Sequence, residues 1–116
     1  MRDYRTLIVW QRADEVVRLV YELTESLPRD ERFGLTAQMR RAAVSVASNI
    51  AEAAGRASDP DSARLLSIAA GSASELQYQL ELVIELGYAN GRARQALAAS
   101  HEVKRMLASL ISKWRR

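Results

Sequence analysis

The chain has 116 residues, no cysteine and a net charge of +3, and 48% of its residues are hydrophobic. This length suits one domain with its own core, and the lack of cysteine excludes a disulfide framework and a thiolate metal site. No stretch approaches the ~20 apolar residues of a membrane span. The N-terminus lacks the apolar segment of a signal peptide, so a cytoplasmic location is expected. The small positive charge does not by itself identify a nucleic-acid-binding protein.

The first predicted helix runs from about Ile8 to Leu27. Apolar residues recur along it every three or four positions, which places them on one buried face. Pro28 is expected to end this helix, because proline lacks the backbone N–H that the next hydrogen bond requires.

The chain is organised around the stretch from Phe33 to Arg56, which contains the second predicted helix. Gly34 is expected to mark a break before the long helical segment, and Gly55 is expected to end it. One face of this helix is apolar at helical spacing. A neighbouring face carries a polar ladder, which consists of Gln38, Arg41, Ser45, Asn49, Glu52 and Arg56. The polar ladder fits either a bundle helix with a solvated edge or a helix that is contacted on more than one side.

The third predicted helix begins at the segment SDPDS (58–62), with Ser58 or Asp59 as its cap and Pro60 suited to the first helical position, and runs to Leu86. Gly87 is expected to end it. A second apolar patch lies away from the main buried stripe of this helix. The apolar patch consists of Ile68, Leu82 and Leu86. It is either an oligomer interface or part of a core that wraps further round the helix.

The fourth predicted helix starts after Asn90-Gly91 and has a basic end. The cations at that end are Lys104, Arg105, Lys113, Arg115 and Arg116. Cations near a helix C-terminus interact favourably with the helix dipole, so the cluster has a structural explanation. The same cations are also suited to contact phosphates or an acidic partner.

Four long amphipathic segments with short connections predict antiparallel neighbours. We therefore expect an all-α protein, a single up-and-down four-helix bundle that covers residues 1–116 and leaves no room for a sheet.

Three segments resemble a known family of small bacterial four-helix bundles, first noticed as open reading frames inside intervening sequences of 23S ribosomal RNA genes. They are VWQ (9–11), FGLTAQMRRAAVSVASNIAEA (33–53) and RLLSIAAGSASELQYQLEL (64–82). The accessory variability protein of diversity-generating retroelements is similar. One departure is Ala53, where the family pattern has glycine.

The resemblance implies a homopentamer whose bundles surround a central channel. For the retroelement relative it also implies a basic surface that binds nucleic acid and a partner reverse transcriptase. In such a ring, the polar ladder and the apolar patch would supply two unlike contact surfaces. Arg41, Glu52 and Arg56 would then make charged contacts between subunits, or their arginines would line the channel and meet phosphate.

Enzymatic interpretations find little support in the residues. Arg94 and His101 loosely match the R-x(4–6)-H pattern of HEPN ribonucleases, in which histidine would act as the general base. Asp59 and Asp61 flank Pro60 and are predicted to be helix caps, not metal ligands. We expect no enzyme activity, no metal and no cofactor.

The predicted function is that of a non-enzymatic homo-oligomeric scaffold with modest, salt-sensitive and sequence-independent affinity for nucleic acid. The expected phosphate contacts are Arg40 and Arg41 together with Lys104, Arg105, Lys113, Arg115 and Arg116. The alternative is a protein-interaction module that serves a reverse transcriptase. A HEPN-like ribonuclease is the third possibility.

Overall fold

The computed structural model describes residues 2–115, apart from the side chain of Asn90, and this range contains four long α-helices. The helices are α1 (Ile8–Glu25), α2 (Leu35–Ala54), α3 (Asp59–Glu85) and α4 (Asn90–Trp114). No strand occurs among the described residues, and the bundle measures 43 × 20 × 20 Å. The predicted all-α four-helix bundle is therefore confirmed.

The ends of α3 follow the predicted signals. Ser58 caps its start, because the hydroxyl oxygen accepts a first-turn backbone N–H at 3.3 Å. Gly87 follows its end with φ +81°, a left-handed conformation that glycine adopts without strain. Two hydrogen bonds of 3.0 Å close the turn: the Gly87 N–H donates to the Ile84 carbonyl and the Tyr88 N–H to the Val83 carbonyl.

The four helices occupy the corners of a square, in which α1 and α3 each pack against α2 and α4. Ser45 Oγ and Ser72 Oγ lie 2.8 Å apart and join the middles of α2 and α3. Ser62 Oγ donates to the Ala53 carbonyl at 2.7 Å beside the α2–α3 connection, so these two helices run antiparallel. The α1–α2 and α3–α4 connections share one end of the bundle, here called the α1–α2 end. The start of α1 and the end of α4 lie at the opposite end, the terminal end.

The core combines large aliphatic side chains with many alanines, which let the helices approach closely. The largest fully buried side chains include Leu23, Met39, Ile50, Leu66, Leu76, Leu80 and Leu107. None of the helices in the described range is both long enough and apolar enough to span a membrane.

Candidate nucleic-acid interface

Charge is distributed unevenly along the chain. Residues 90–116 contain seven Lys or Arg and a single acid, whereas residues 1–89 contain ten Arg and thirteen Asp or Glu. That single acid, Glu102, forms an ion pair with Arg12 of α1, with 3.3 Å between Arg12 Nε and Glu102 Oε1. Helix α4 is therefore a cationic helix on an otherwise anionic bundle.

The cations of α4 have no carboxylate partners within residues 2–115. Arg94 and Arg105 are eleven residues apart, about three helical turns, so they lie on one face of the helix. Lys104 Nζ donates to Gln77 Oε1 on α3 at 2.8 Å, and Arg115 reaches Ser67 Oγ at 3.5 Å.

Two further described cations of α4, Arg92 and Lys113, are exposed. The predicted contact Arg116 lies outside the described residues.

Arg40 and Arg41, which are adjacent in the sequence, differ sharply in environment. Arg41 is exposed. Arg40 is half-buried: its Nε donates to Thr24 Oγ1 of α1 at 2.9 Å, and its guanidinium carbon lies 4.5 Å from the centre of the Tyr21 ring. Thr24 in turn donates to the Val20 carbonyl at 2.7 Å, so its hydroxyl oxygen is oriented to accept from Arg40.

The predicted phosphate contacts therefore fall into two groups. Arg40 and Arg41 lie near the α1–α2 end, whereas Lys113 and Arg115 lie at the terminal end of a bundle 43 Å long. The predicted up-and-down order of the helices already implies this separation, because Arg40 lies near the start of α2 and Lys113 near the end of α4.

Arg40 also lines a groove of about 310 Å³ between the end of α1 and the start of α2. Arg29 and Arg32, both exposed, line the same groove, together with Glu25 and two threonines. Within residues 2–115, these three arginines form no ion pair. Arg29 and Arg32 were not predicted from the sequence; the available signal was an Arg-x-x-Arg spacing that leads directly into Phe33.

Most of the polar ladder is occupied within the chain. Ser45 bonds to Ser72 of α3, and Asn49 Nδ2 donates to the Ser45 carbonyl at 2.8 Å. Arg56 forms ion pairs with Glu52 and, at 3.5 Å from its Nε, with an Asp61 carboxylate oxygen at the start of α3. The ladder therefore follows the joint between α2 and α3, while Arg41 remains exposed beside it.

The apolar patch is only partly enclosed by the bundle. Ile68 is 45% exposed and Leu86 is 48% exposed, while Leu82 is half-buried. Tyr78, which was not predicted from the sequence as part of the patch, lies on the same side of α3 and is 64% exposed. The core of a single bundle thus does not wrap round Ile68 and Leu86.

The proposed ribonuclease pair is widely spaced. Arg94 and His101 are two helical turns apart, about 10 Å along the axis of α4. Within residues 2–115, no three His, Cys, Asp or Glu side chains are grouped so as to hold a metal ion.

The fold and the charge distribution define a small antiparallel four-helix bundle whose last helix is cationic. The model of the 23S rRNA-intervening sequence protein family matches residues 5–109, and the chain belongs to this family. A similar solved structure is a protein of unknown function from the S23 ribosomal protein family of Bacteroides thetaiotaomicron. It superposes with a TM-score of 0.81 and 27% sequence identity, over 90% of this chain and 98% of that chain. A comparison with curated proteins finds no match.

Proposed function

We propose that this protein is a non-enzymatic, homo-oligomeric helical scaffold that binds nucleic acid through phosphate contacts, without preference for base sequence. The observation that carries the proposal is the cationic α4, whose cations have no carboxylate partner in the described bundle although the preceding helices are net acidic. A structural role in satisfying the helix dipole accounts for cations in the last turn only. Arg94 and Arg105 lie well before that turn.

The dimensions of α4 suit a polyanion. From Arg94 to Arg115 the helix rises about 32 Å, which is similar to one turn of B-form duplex. Cations that neutralise phosphates release condensed counterions, so affinity falls steeply as salt rises. We expect binding of roughly micromolar strength at low salt. The resemblance to the retroelement accessory protein, which implies a basic nucleic-acid-binding surface, supports the same assignment.

The decisive experiment neutralises α4 and measures duplex affinity between about 50 and 200 mM salt. The triple variant carries Lys104→Gln, Arg105→Gln and Lys113→Gln. Its plot of log affinity against log salt should be less steep than that of the wild type, by about 0.9 for each phosphate that the protein no longer neutralises. A wild-type protein that binds no duplex at low salt, or binds it equally at all salt concentrations, would contradict the proposal.

A matched control removes the same charge from other surfaces of the bundle. Arg5, Arg18 and Arg64 are exposed and each is paired with a nearby carboxylate. Their replacement by glutamine should change the salt slope by less than the value for one phosphate, because these arginines are already neutralised. Equal decreases of affinity in the two triple variants would indicate only a response to net charge.

The oligomeric part of the proposal rests on α3. Ile68, Tyr78 and Leu86 expose apolar surface on one side of a 27-residue helix, and a second copy of the chain would remove it from water. Arg41 presents an exposed guanidinium on the neighbouring helix for charged contacts between subunits. The remaining proposed interface residues are Ser45, Asn49, Glu52, Arg56 and Leu82.

A stoichiometry of five is what the family resemblance implies, and a closed ring needs two unlike surfaces that meet head to tail. Light scattering at micromolar concentration should give five times the 13.0 kDa mass of the chain. A particle of 13.0 kDa under these conditions would contradict the assembly.

A further inference from the structure

Phe33 is the most exposed large hydrophobic side chain in the described residues, at 86%. It lies in the α1–α2 connection, between Arg32 and the glycine that precedes α2. The Arg32 guanidinium carbon lies 5.2 Å from the centre of its ring. An aromatic ring that is presented to solvent beside a cation is the arrangement on which unpaired bases stack.

Arg40 supplies a guanidinium whose direction is already fixed. Its Nε is occupied by the buried Thr24 hydroxyl and its plane is supported by the Tyr21 ring, so its two terminal NH₂ groups remain to donate to a ligand. A guanidinium held in this way binds phosphate oxygens with two donors while losing little side-chain entropy.

The groove between α1 and α2 connects these two features. Arg32 lines the groove and contacts Phe33, and Arg29 and Arg40 lie along the same groove. Its volume of about 310 Å³ lies at the lower end of small-molecule sites. Glu25 also lines the groove, so one carboxylate opposes three guanidinium groups.

We propose that the α1–α2 end binds a single-stranded segment of nucleic acid, with one phosphate in this groove and the adjoining base stacked on Phe33. The inference rests on the proposed function and adds the class of strand that this end of the molecule recognises. A duplex keeps its bases paired and stacked, so it has no base to offer Phe33 and binds through the α4 cations alone.

The test compares an unstructured deoxythymidine strand with a duplex of the same length, by fluorescence anisotropy at low salt. Phe33→Ala should weaken single-strand binding about fivefold or more and leave duplex binding unchanged, because a base stacks on an aromatic side chain only where it is unpaired. Ile8→Ala, which removes an exposed large hydrophobic side chain at the terminal end, away from both the groove and the apolar patch, is the control.

The charge arm of the test compares neighbouring arginines. Arg40→Gln should weaken single-strand binding more than Arg41→Gln, although both variants lose one positive charge. Glu25→Gln should strengthen single-strand binding, because it removes the negatively charged carboxylate that lines the groove. Thermal unfolding of each variant verifies that the bundle is intact, and Phe33 is too exposed for its removal to unfold the protein.

The outcomes separate this inference from the proposed function. Single-strand affinity that is unaffected by Phe33→Ala but reduced by neutralising α4 overturns the inference and leaves the proposed function in place. Equal effects of Phe33→Ala and Ile8→Ala also overturn it. A wild-type protein that binds neither strand form overturns both.

Discussion

Two isoleucines allow the same substitution to test the core and the proposed subunit contact. Ile50 of α2 is 0% exposed and belongs to the core, whereas Ile68 of α3 is 45% exposed. Replacing each with alanine removes the same atoms. The resulting change in the free energy of unfolding therefore reports the environment of each side chain.

For Ile50→Ala we expect a loss of about 2–5 kcal/mol, the range for deleting a fully buried aliphatic side chain and leaving a cavity. In a chain of this size, about 4 °C of melting temperature corresponds to each kcal/mol, so the midpoint should fall by about 8–20 °C. Ile68→Ala removes roughly half as much buried surface and no enclosed volume. In an isolated bundle it should cost only about 1 kcal/mol.

The assay is thermal or chemical unfolding at several protein concentrations. If copies associate through the apolar patch, the wild-type midpoint rises with concentration, because association stabilises only the folded state. Ile68→Ala should reduce that dependence, whereas Ile50→Ala should lower the midpoint at every concentration. Equal and concentration-independent decreases of stability in the two variants would refute the assignment of Ile68 to a subunit contact.

Three further predictions concern local features of the bundle. Thr24→Val should lower the free energy of unfolding by about 1 kcal/mol. A double-mutant cycle with Arg40→Gln should show coupling, since the two side chains share a hydrogen bond. Additive effects of the two substitutions on the free energy of unfolding would contradict this. Gly87→Ala should destabilise the protein by about 1 kcal/mol, because φ at that residue is +81°. Gly71→Ala should stabilise a single bundle by about 0.5–1 kcal/mol, because there is open space for the added Cβ. Urea unfolding measures both, and a Gly87→Ala variant more stable than Gly71→Ala would contradict these backbone assignments. His101→Ala should leave any RNA cleavage in a purified sample unchanged, as measured on labelled RNA, and loss of cleavage in this variant would instead support a ribonuclease.

The candidate interface was only partly predictable from the sequence. The basic end of α4 can be identified from the sequence, because its cations are close together along the chain. The groove of Arg29, Arg32 and Arg40 is not, since it also requires Thr24 and Tyr21 from the preceding helix to orient Arg40. Contacts between residues 16 or more apart depend on how α1 and α2 pack, and periodicity within one helix does not specify that packing.

The polar ladder illustrates the same limit. Its spacing correctly marks one face of α2, but the sequence leaves open whether that face meets solvent, another subunit or the next helix. The structure joins Ser45 to Ser72 and Arg56 to Asp61, both from α3. Short polar side chains suit this joint because they let two helices approach while satisfying each other's hydrogen bonds.

By itself the sequence determined the number of helices, their approximate limits and the residues that face the core, because helical periodicity, Ser58, Gly87 and the other end signals act over a few neighbouring residues. Only the tertiary structure decided which cations lie together, which are neutralised and which apolar side chains remain exposed. Those properties depend on how each helix is rotated about its own axis and packed against its neighbours. Burial and Coulomb interactions act between side chains that are close in space, however far apart they lie along the chain.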